Sequence, residues 1–317
     1  MVQVVGRFAP SPSGFLHLGN LFCSLIAWLA AKSQGGILVF RNEDLDLERS
    51  RPAFALQAQR DLERLGLSWE EGGNLGGPHG PYNQSQRFDF YASQLEKLER
   101  LGLVYPCFCT RAQLHAASAP HGDDGELLYS GACRNLTPEE IEERRKTRSP
   151  ALRLRVPAET ISFTDGHYGP QSQFLPTGCG DFILRRSDGI YAYQLAVVAD
   201  DGAMGVTQVV RGRDLLSSTP RQILLYRLLG YPVPQFAHTP LLLSSDGRRL
   251  AKRDGDMSLS GLLAKGFSPR DVVGGLAYLA GLVPEPCPLL PEELVPLFSW
   301  DKLPKEDILL PPRLFQN

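Results

Sequence analysis

The run Gly6-Arg7-Phe8-Ala9-Pro10-Ser11-Pro12-Ser13-Gly14-Phe15-Leu16-His17-Leu18-Gly19-Asn20 restricts the chain to few folds, because it reads as a strand, a tight turn and the opening of a helix. Leu18, Leu21, Phe22, Leu25, Ile26 and Leu29 recur at the spacing of one helical face, and Gly35-Gly36 ends the helix. Val2 to Phe8 and Ile37 to Arg41 flank it as short parallel strands, which makes a βαβ unit of a doubly wound sheet. The start of such a helix offers unpaired N–H groups and the positive end of its dipole to phosphate. Gly14 and Gly19 let backbone and ligand approach closely, and His17 stands where it can donate to a phosphate oxygen. The same residues also suit a buried amphipathic helix with an incidental histidine, so this segment decides the fold and leaves the chemistry open.

Further along, Ala53 to Leu67 has helical spacing, Gly72 to Tyr82 is a glycine-rich loop, and Phe88 to Leu101 is an amphipathic helix closed by Gly102. From Pro106 to about Thr177 the texture turns irregular, polar and cysteine-bearing, which predicts an insertion between two halves of the sheet. Within it, Pro138 to Lys146 reads as an exposed helix with acidic residues in its first turn and basic ones in its last. The fold resumes at Asp181-Phe182-Ile183-Leu184-Arg185-Arg186 and continues through Ile190 to Val198. The acidic pair Asp200-Asp201 is expected to close a strand and organise the loop before Gly202. At 317 residues two or three subdomains are expected. Their boundaries fall at residues 1–105 and 181–243 for the two sheet halves, 106–180 for the insertion and 244–317 for a basic loop and a short helical region.

A formal net charge of −2 gives no overall basic footprint, so an RNA partner would have to be met by local patches such as Arg144, Arg145, Lys146 and Arg148, or Arg211, Arg213 and Arg221. No signal pattern opens the chain and no apolar run reaches the roughly 18 residues of a membrane span, so a cytoplasmic location without membrane contact is expected. Six cysteines then point to metal or thiol chemistry before disulfides. Cys107, Cys109 and Cys133 share one loop-rich stretch and suit zinc, whose fourth ligand on chemistry alone would be His115 or His121. Cys23, Cys179 and Cys287 read as structural.

His17-Leu18-Gly19-Asn20 resembles the HIGH signature of class I aminoacyl-tRNA synthetases, and the lead-in Arg7 to Gly14 looks like the glutamyl branch of that class. Arg248-Arg249-Leu250-Ala251-Lys252-Arg253 is similar to the class's KMSKS loop: Lys252 aligns with the second lysine, Arg249 replaces the first, and Ala251 and Arg253 replace both serines. Asp181 to Arg186, Tyr191 to Asp201 and Gly205 to Gly212 extend the likeness, which runs from Val5 to about Arg253. The resemblance implies a Rossmann-type α/β fold with a zinc-binding insertion. It also implies a glutamate pocket lined by Arg7, Phe8, Ala9, Pro10 and Ser11, with Glu43 on the α-ammonium and Tyr193 and Arg211 closing the other side. His17, Gly19, Asn20 and Lys252 would bind ATP with its Mg²⁺, His17 and Lys252 being catalytic. The zinc-binding CxC and YxxxC pairs of glutamyl-Q-type synthetases are matched by Cys107, Cys109, Tyr129 and Cys133, so the resemblance points to Tyr129, rather than a histidine, as the fourth ligand. Only about 65 residues follow Lys252, leaving no room for the helical domain with which a glutamyl-tRNA synthetase reads the anticodon. The family so indicated activates L-glutamate with ATP and places it on the queuosine base of tRNA(Asp). A truncated glutamyl-tRNA synthetase charging tRNA(Glu) is the alternative, a monomer is expected, and a catalytically idle regulatory paralogue is the reading from another class.

Overall fold

A computed structural model describes residues 3–110, 112–113, 128–250 and 257–315. Strand β1 (Val5–Phe8) leads through a turn into helix α1 (Leu18–Lys32) and back to β2 (Ile37–Phe40), which pairs in parallel with β1, Val5 opposite Ile37. β3 (Glu71–Gly72) extends the sheet beyond β2, again in parallel. Phe8, Leu38, Val39 and Phe40 are all buried, the near-continuous apolar pattern of parallel strands covered on both faces. Gly35 ends α1 at a φ of +65°, and a Cβ on Gly36 would meet the Val4 carbonyl at 2.7 Å, so this return into β2 requires glycine.

The segment expected to be irregular carries regular strands. β4 (Val104–Cys107), β5 (Ala151–Leu154) and β8 (Ile183–Arg185) form an antiparallel sheet, while β6 (Thr160–Asp165) and β7 (Gly169–Phe174) form a hairpin. β7 escaped a sequence reading because Gly169-Pro170-Gln171-Ser172-Gln173-Phe174 offers no apolar alternation: its side chains are largely solvent-facing. The parallel sheet then resumes with β9 (Gln208–Gly212) and β10 (Gln235–Thr239), and β9 adjoins β1 where Thr207 N donates to Val5 O at 2.9 Å. Helix Tyr193–Ala203 occupies the stretch taken for a strand ending at Asp200-Asp201. That expectation is corrected: both aspartates sit on a helix, fully buried, and their role is electrostatic.

α1 is buried almost all round, since Ala27, Trp28, Ala30 and Ala31 join its predicted apolar face in the core. The amphipathic reading was incomplete, because helices Leu259–Ala264 and Pro269–Leu279 cover the side away from the sheet. Each fully buried leucine there contributes about 1.5–3 kcal/mol, enough to fix the helix start as a rigid platform. A second core surrounds helices Tyr193–Ala203 and Thr219–Leu229, and a third, small one holds Tyr105, Cys107, Phe108, Tyr129 and Cys133. Among the described residues no helix is long and apolar enough to cross a membrane.

Candidate active site

His17 is the N-cap of α1. Its Nδ1 accepts from Gly19 N at 3.1 Å while Asn20 Oδ1 accepts from His17 N at 3.1 Å, a reciprocal cap that fixes the imidazole against the first turn. A Cβ on Gly19 would sit 3.1 Å from that ring, which explains a glycine here. The backbone of His17 also bridges Ser258, and Leu250 and Leu259 pack with Leu16 and Leu18 in one core. Ser258, just after residues 251–256, is thus held to the start of α1. Lys252, with Ala251 and Arg253, lies outside the described residues. The turn before it is present as expected: Gly247 N donates to Ser244 O at 2.9 Å, and hydrogen bonds from Ser244 and Arg248 hold the Asp246 carboxyl below its usual range.

A cavity of about 470 Å³ opens where β1 meets the signature turn. Arg7, Phe8, Ala9, Pro10 and Ser11 form one wall, Glu43 and Tyr193 stand across from them, and Arg211 reaches in from β9. Gly14, Asn20 and Cys23 also line it. The structure thus brings together every residue expected to meet glutamate, and Asn20, but His17 and Gly19 face the cap and are absent from the lining. The wall is held by backbone bonds that strand pairing extends past β1 and β2, Arg41 N to Phe8 O at 2.9 Å and Glu43 N to Pro10 O at 3.0 Å. A larger cavity, about 590 Å³, lies between the β6–β7 hairpin, the segment after β9 and residues 241–249. None of the expected glutamate residues lines it.

Below the smaller cavity lies a buried charge cluster. Arg41, with no exposed surface, reaches Asp201 at 2.8 Å, Glu43 at 3.1 Å and Asp200 at 3.6 Å; Arg7 reaches Asp201 at 3.5 Å and donates to Val210 O at 3.0 Å. Asp200 also receives Gln84 Nε2, Arg87 Nε and Tyr91 OH at 2.7–2.8 Å. Burial works to raise the Asp201 carboxyl, but Arg41 and Arg7 outweigh it and hold it below the usual range. Glu43 goes the other way: burial dominates its arginine contacts and pushes it up, so a cation placed beside it would be welcome.

Arg211 differs from these arginines. Its Nε donates to His238 Nε2 at 3.0 Å, Nη1 to Gln222 Oε1 at 2.7 Å, and Nη2 to Leu215 O at 3.1 Å and Thr219 Oγ1 at 2.9 Å. Every partner is neutral. Burial, followed by the repulsion of Arg7, lowers its pKa against the pull of Tyr193. A guanidinium 5% exposed, beside a cavity and with no carboxylate in contact among the described residues, is a charge that an anionic ligand would neutralise.

At the end of β4 the sulfurs of Cys107, Cys109 and Cys133 lie within 4.8 Å of one another and could hold a metal ion. Cys109 and Cys133 are 3.7 Å apart, and the Tyr129 hydroxyl lies 3.5 Å from the Cys107 sulfur and 3.8 Å from that of Cys109. Thiolates about 2.3 Å from a tetrahedral zinc stand about 3.7 Å apart, so these edges fit that ion. The Arg153 guanidinium covers the Tyr129 ring at 3.9 Å. Burial acts to raise Cys107, but the Tyr129 hydroxyl and Arg153 bring it below its ordinary value, whereas burial and then Cys107 push Cys109 up to about 11. His115 and His121, the imidazole alternatives, lie outside the described residues.

Residues 3–285 match the family model of class I tRNA synthetases (E and Q), catalytic domain. The chain is 56% identical over 312 residues to a glutamyl-Q tRNA(Asp) synthetase of Symbiobacterium thermophilum, covering 98% of this chain and 96% of that protein. This chain belongs to the glutamyl-Q tRNA(Asp) synthetase family. A second family member, from Nitratidesulfovibrio vulgaris, is 50% identical over 98% of this chain and 96% of its own length. A glutamate–tRNA ligase of Sulfurihydrogenibium is 39% identical over 98% of this chain, which spans only 64% of it. The crystal structure of the glutamate-tRNA synthetase from Elizabethkingia anophelis superimposes with a TM-score of 0.85 at 29% identity, covering 99% of this chain and 69% of that one. The parallel α/β core is thus the class I catalytic fold. What sequence reasoning missed in this synthetase is the set of side chains behind the cavity: Arg41, Asp200, Asp201, Thr219, Gln222 and His238. Only Asp200-Asp201 left a visible mark, as an acidic pair; the others meet through sheet and helix packing that no local spacing encodes.

Proposed function

We propose that the chain uses ATP to convert L-glutamate to glutamyl-adenylate and transfers the glutamyl group to the queuosine base in the anticodon of tRNA(Asp). It acts as a ligase of the aminoacyl-tRNA synthetase type, in the cytoplasm where that tRNA is found. The observation that carries the amino-acid half of the reading is Arg211, a buried cation with only neutral partners at the wall of a cavity that also presents Glu43. Such a cavity suits a carboxylate at one end and an ammonium at the other. Glutamine, lacking the charge, would leave Arg211 uncompensated, which is how a polar site rejects a near-isostere. The family membership of near-full-length relatives supports the acceptor.

In this reading a carboxylate oxygen of glutamate attacks the α-phosphorus and pyrophosphate leaves. A hydroxyl of the modified base then attacks the acyl carbon and AMP leaves. The protein's part is positioning and charge stabilisation: Arg7, Arg211, Tyr193 and Glu43 hold the amino acid, while His17, Gly19, Asn20 and Lys252 act at the triphosphate, whose Mg²⁺ arrives with it. His17 contributes through the helix start that it caps. Residues 1–105 and 181–243 would form the catalytic halves, 106–180 the insertion and 244–317 the loop and helices beside the RNA. Labelled glutamate offered with ATP to tRNA(Asp), with and without queuosine, and to tRNA(Glu) tests the reading. Label is expected only on queuosine-bearing tRNA(Asp); label on tRNA(Glu) alone would establish a truncated glutamyl-tRNA synthetase instead.

Cys107, Cys109, Cys133 and Tyr129 would hold a structural zinc that ties β4 to the segment around Tyr129 and Cys133. Purified protein is expected to carry about one zinc ion per chain, and Cys109→Ser to lose it together with several kcal/mol of local stability. Mass-spectrometric metal analysis and thermal melts of both proteins decide this; an equal zinc content in Cys109→Ser would remove that ligand from the set.

A further inference from the structure

The β6–β7 hairpin reaches the glutamate cavity without lining it, through one chain of hydrogen bonds. Asp165, the last residue of β6, is buried, and its Oδ1 accepts the backbone N–H groups of His167 at 3.0 Å and Tyr168 at 2.9 Å. Its Oδ2 lies 2.6 Å from Nδ1 of His238, a residue of β10 with no exposed surface. His238 Nε2 in turn faces the Arg211 Nε–H at 3.0 Å. Arginine has no acceptor, so Nε2 must supply the lone pair and the ring proton must sit on Nδ1, donated to Asp165. The polarity of the whole chain is therefore fixed from one end to the other.

We infer that Asp165 and His238 are positioning residues for glutamate: Asp165 selects the Nδ1–H form of His238, and this neutral imidazole holds the Arg211 guanidinium toward the substrate without neutralising it. The inference rests on the glutamate reading given above. A guanidinium has five N–H donors, and four of those of Arg211 are committed to His238, Gln222, Leu215 and Thr219. The fifth, on Nη1, has no partner among the described residues, and Arg211 lines the cavity. A carboxylate in place of His238 would hold the arginine equally well but cancel its charge. An imidazolium would turn an N–H toward another N–H. Neutral histidine, with an aspartate behind it to set the proton, avoids both. Burial is the main reason that His238 stays neutral, its pKa falling to about 4 although Asp165 pulls it up.

Substitutions at 238 separate the two ends of the chain. Gln places an amide near the position of Nε2 and can still accept from Arg211, Asn places one near Nδ1 and keeps only the Asp165 end, and Ala loses both. In ATP–pyrophosphate exchange, His238→Asn and His238→Ala are expected to raise KM for glutamate at least about tenfold, with KM for ATP and kcat within about threefold. His238→Gln is expected to recover most of the loss. Nitrogen NMR of histidine-labelled wild-type protein at neutral pH, with the His238 signal assigned by its absence from the variants, is expected to show the Nδ1–H form; in Asp165→Asn that form is expected to give way to Nε2–H. Wild-type spectra with Nε2–H overturn the inference, as does a glutamate KM that is unchanged in His238→Asn or that follows the melting temperature across the series. If the wild-type protein does not activate glutamate at all, the function reading fails, and the tautomer is still read independently.

Discussion

Arg211→Ala is expected to lower kcat/KM for glutamate in ATP–pyrophosphate exchange by more than about a hundredfold, the effect of losing about 3 kcal/mol, while KM for ATP stays within about twofold. The size follows from where the charge sits. An exposed arginine–carboxylate contact is worth at most about 1 kcal/mol because water competes for both partners. Arg211 is 5% exposed and has given up its water for four neutral acceptors, so its remaining field is directed at whatever enters the cavity. Arg211→Lys keeps the charge but cannot make the same fan of bonds to His238, Gln222, Leu215 and Thr219, and should fall between wild type and alanine. Circular dichroism and melts separate lost binding from lost fold. An alanine variant that is folded and activates glutamate with a wild-type KM would remove Arg211 from the site, and with it the argument that this cavity is built for an anion.

The βαβ opening was legible because strand, turn and helix there are neighbours in sequence, and Leu18, Leu21, Phe22, Leu25, Ile26 and Leu29 do lie in the core. The helix Pro138–Arg145, with its Thr137–Glu140 capping box, was legible for the same reason. The pocket residues were all named through resemblance; Arg7 to Ser11 are neighbours in the signature segment, whereas Glu43, Tyr193 and Arg211 come from distant stretches that meet them because β9 lies beside β1. What could not be read was the set of partners behind them. Asp165 and His238 are 73 positions apart and touch because the hairpin packs on β10. Asp200-Asp201 was visible but misassigned, since an acidic pair in an apolar run looks like a strand end unless its four buried arginine contacts are known. In each case the charge compensation is decided by residues far away in the chain.

That compensation makes Asp201 the most exacting test of the fold beneath the site. Asp201→Asn preserves shape but leaves Arg41 and Arg7 without their shared carboxylate, and is expected to cost about 3–5 kcal/mol in urea unfolding at pH 7. Arg41 would then rely on Asp200, which already serves Gln84, Arg87 and Tyr91, and on Glu43, which the substrate ammonium needs. KM for glutamate should therefore rise along with the loss of stability. The pH dependence carries the sign of the shift. Burial alone would raise the Asp201 carboxyl, but Arg41 and Arg7 hold it below its ordinary 3.8. Its stabilisation is accordingly complete above that value and disappears as pH falls through the lower, folded one. The gap between wild type and Asp201→Asn should thus be constant from pH 7 to about pH 5 and shrink below about pH 4, where this carboxylate takes up its proton in the unfolded chain while the folded one still resists. Urea titrations of both proteins at stepped pH measure it. A gap under about 1 kcal/mol at pH 7, or one that widens in acid, would mean that Asp201 is not the counter-charge that holds these two arginines beneath the cavity.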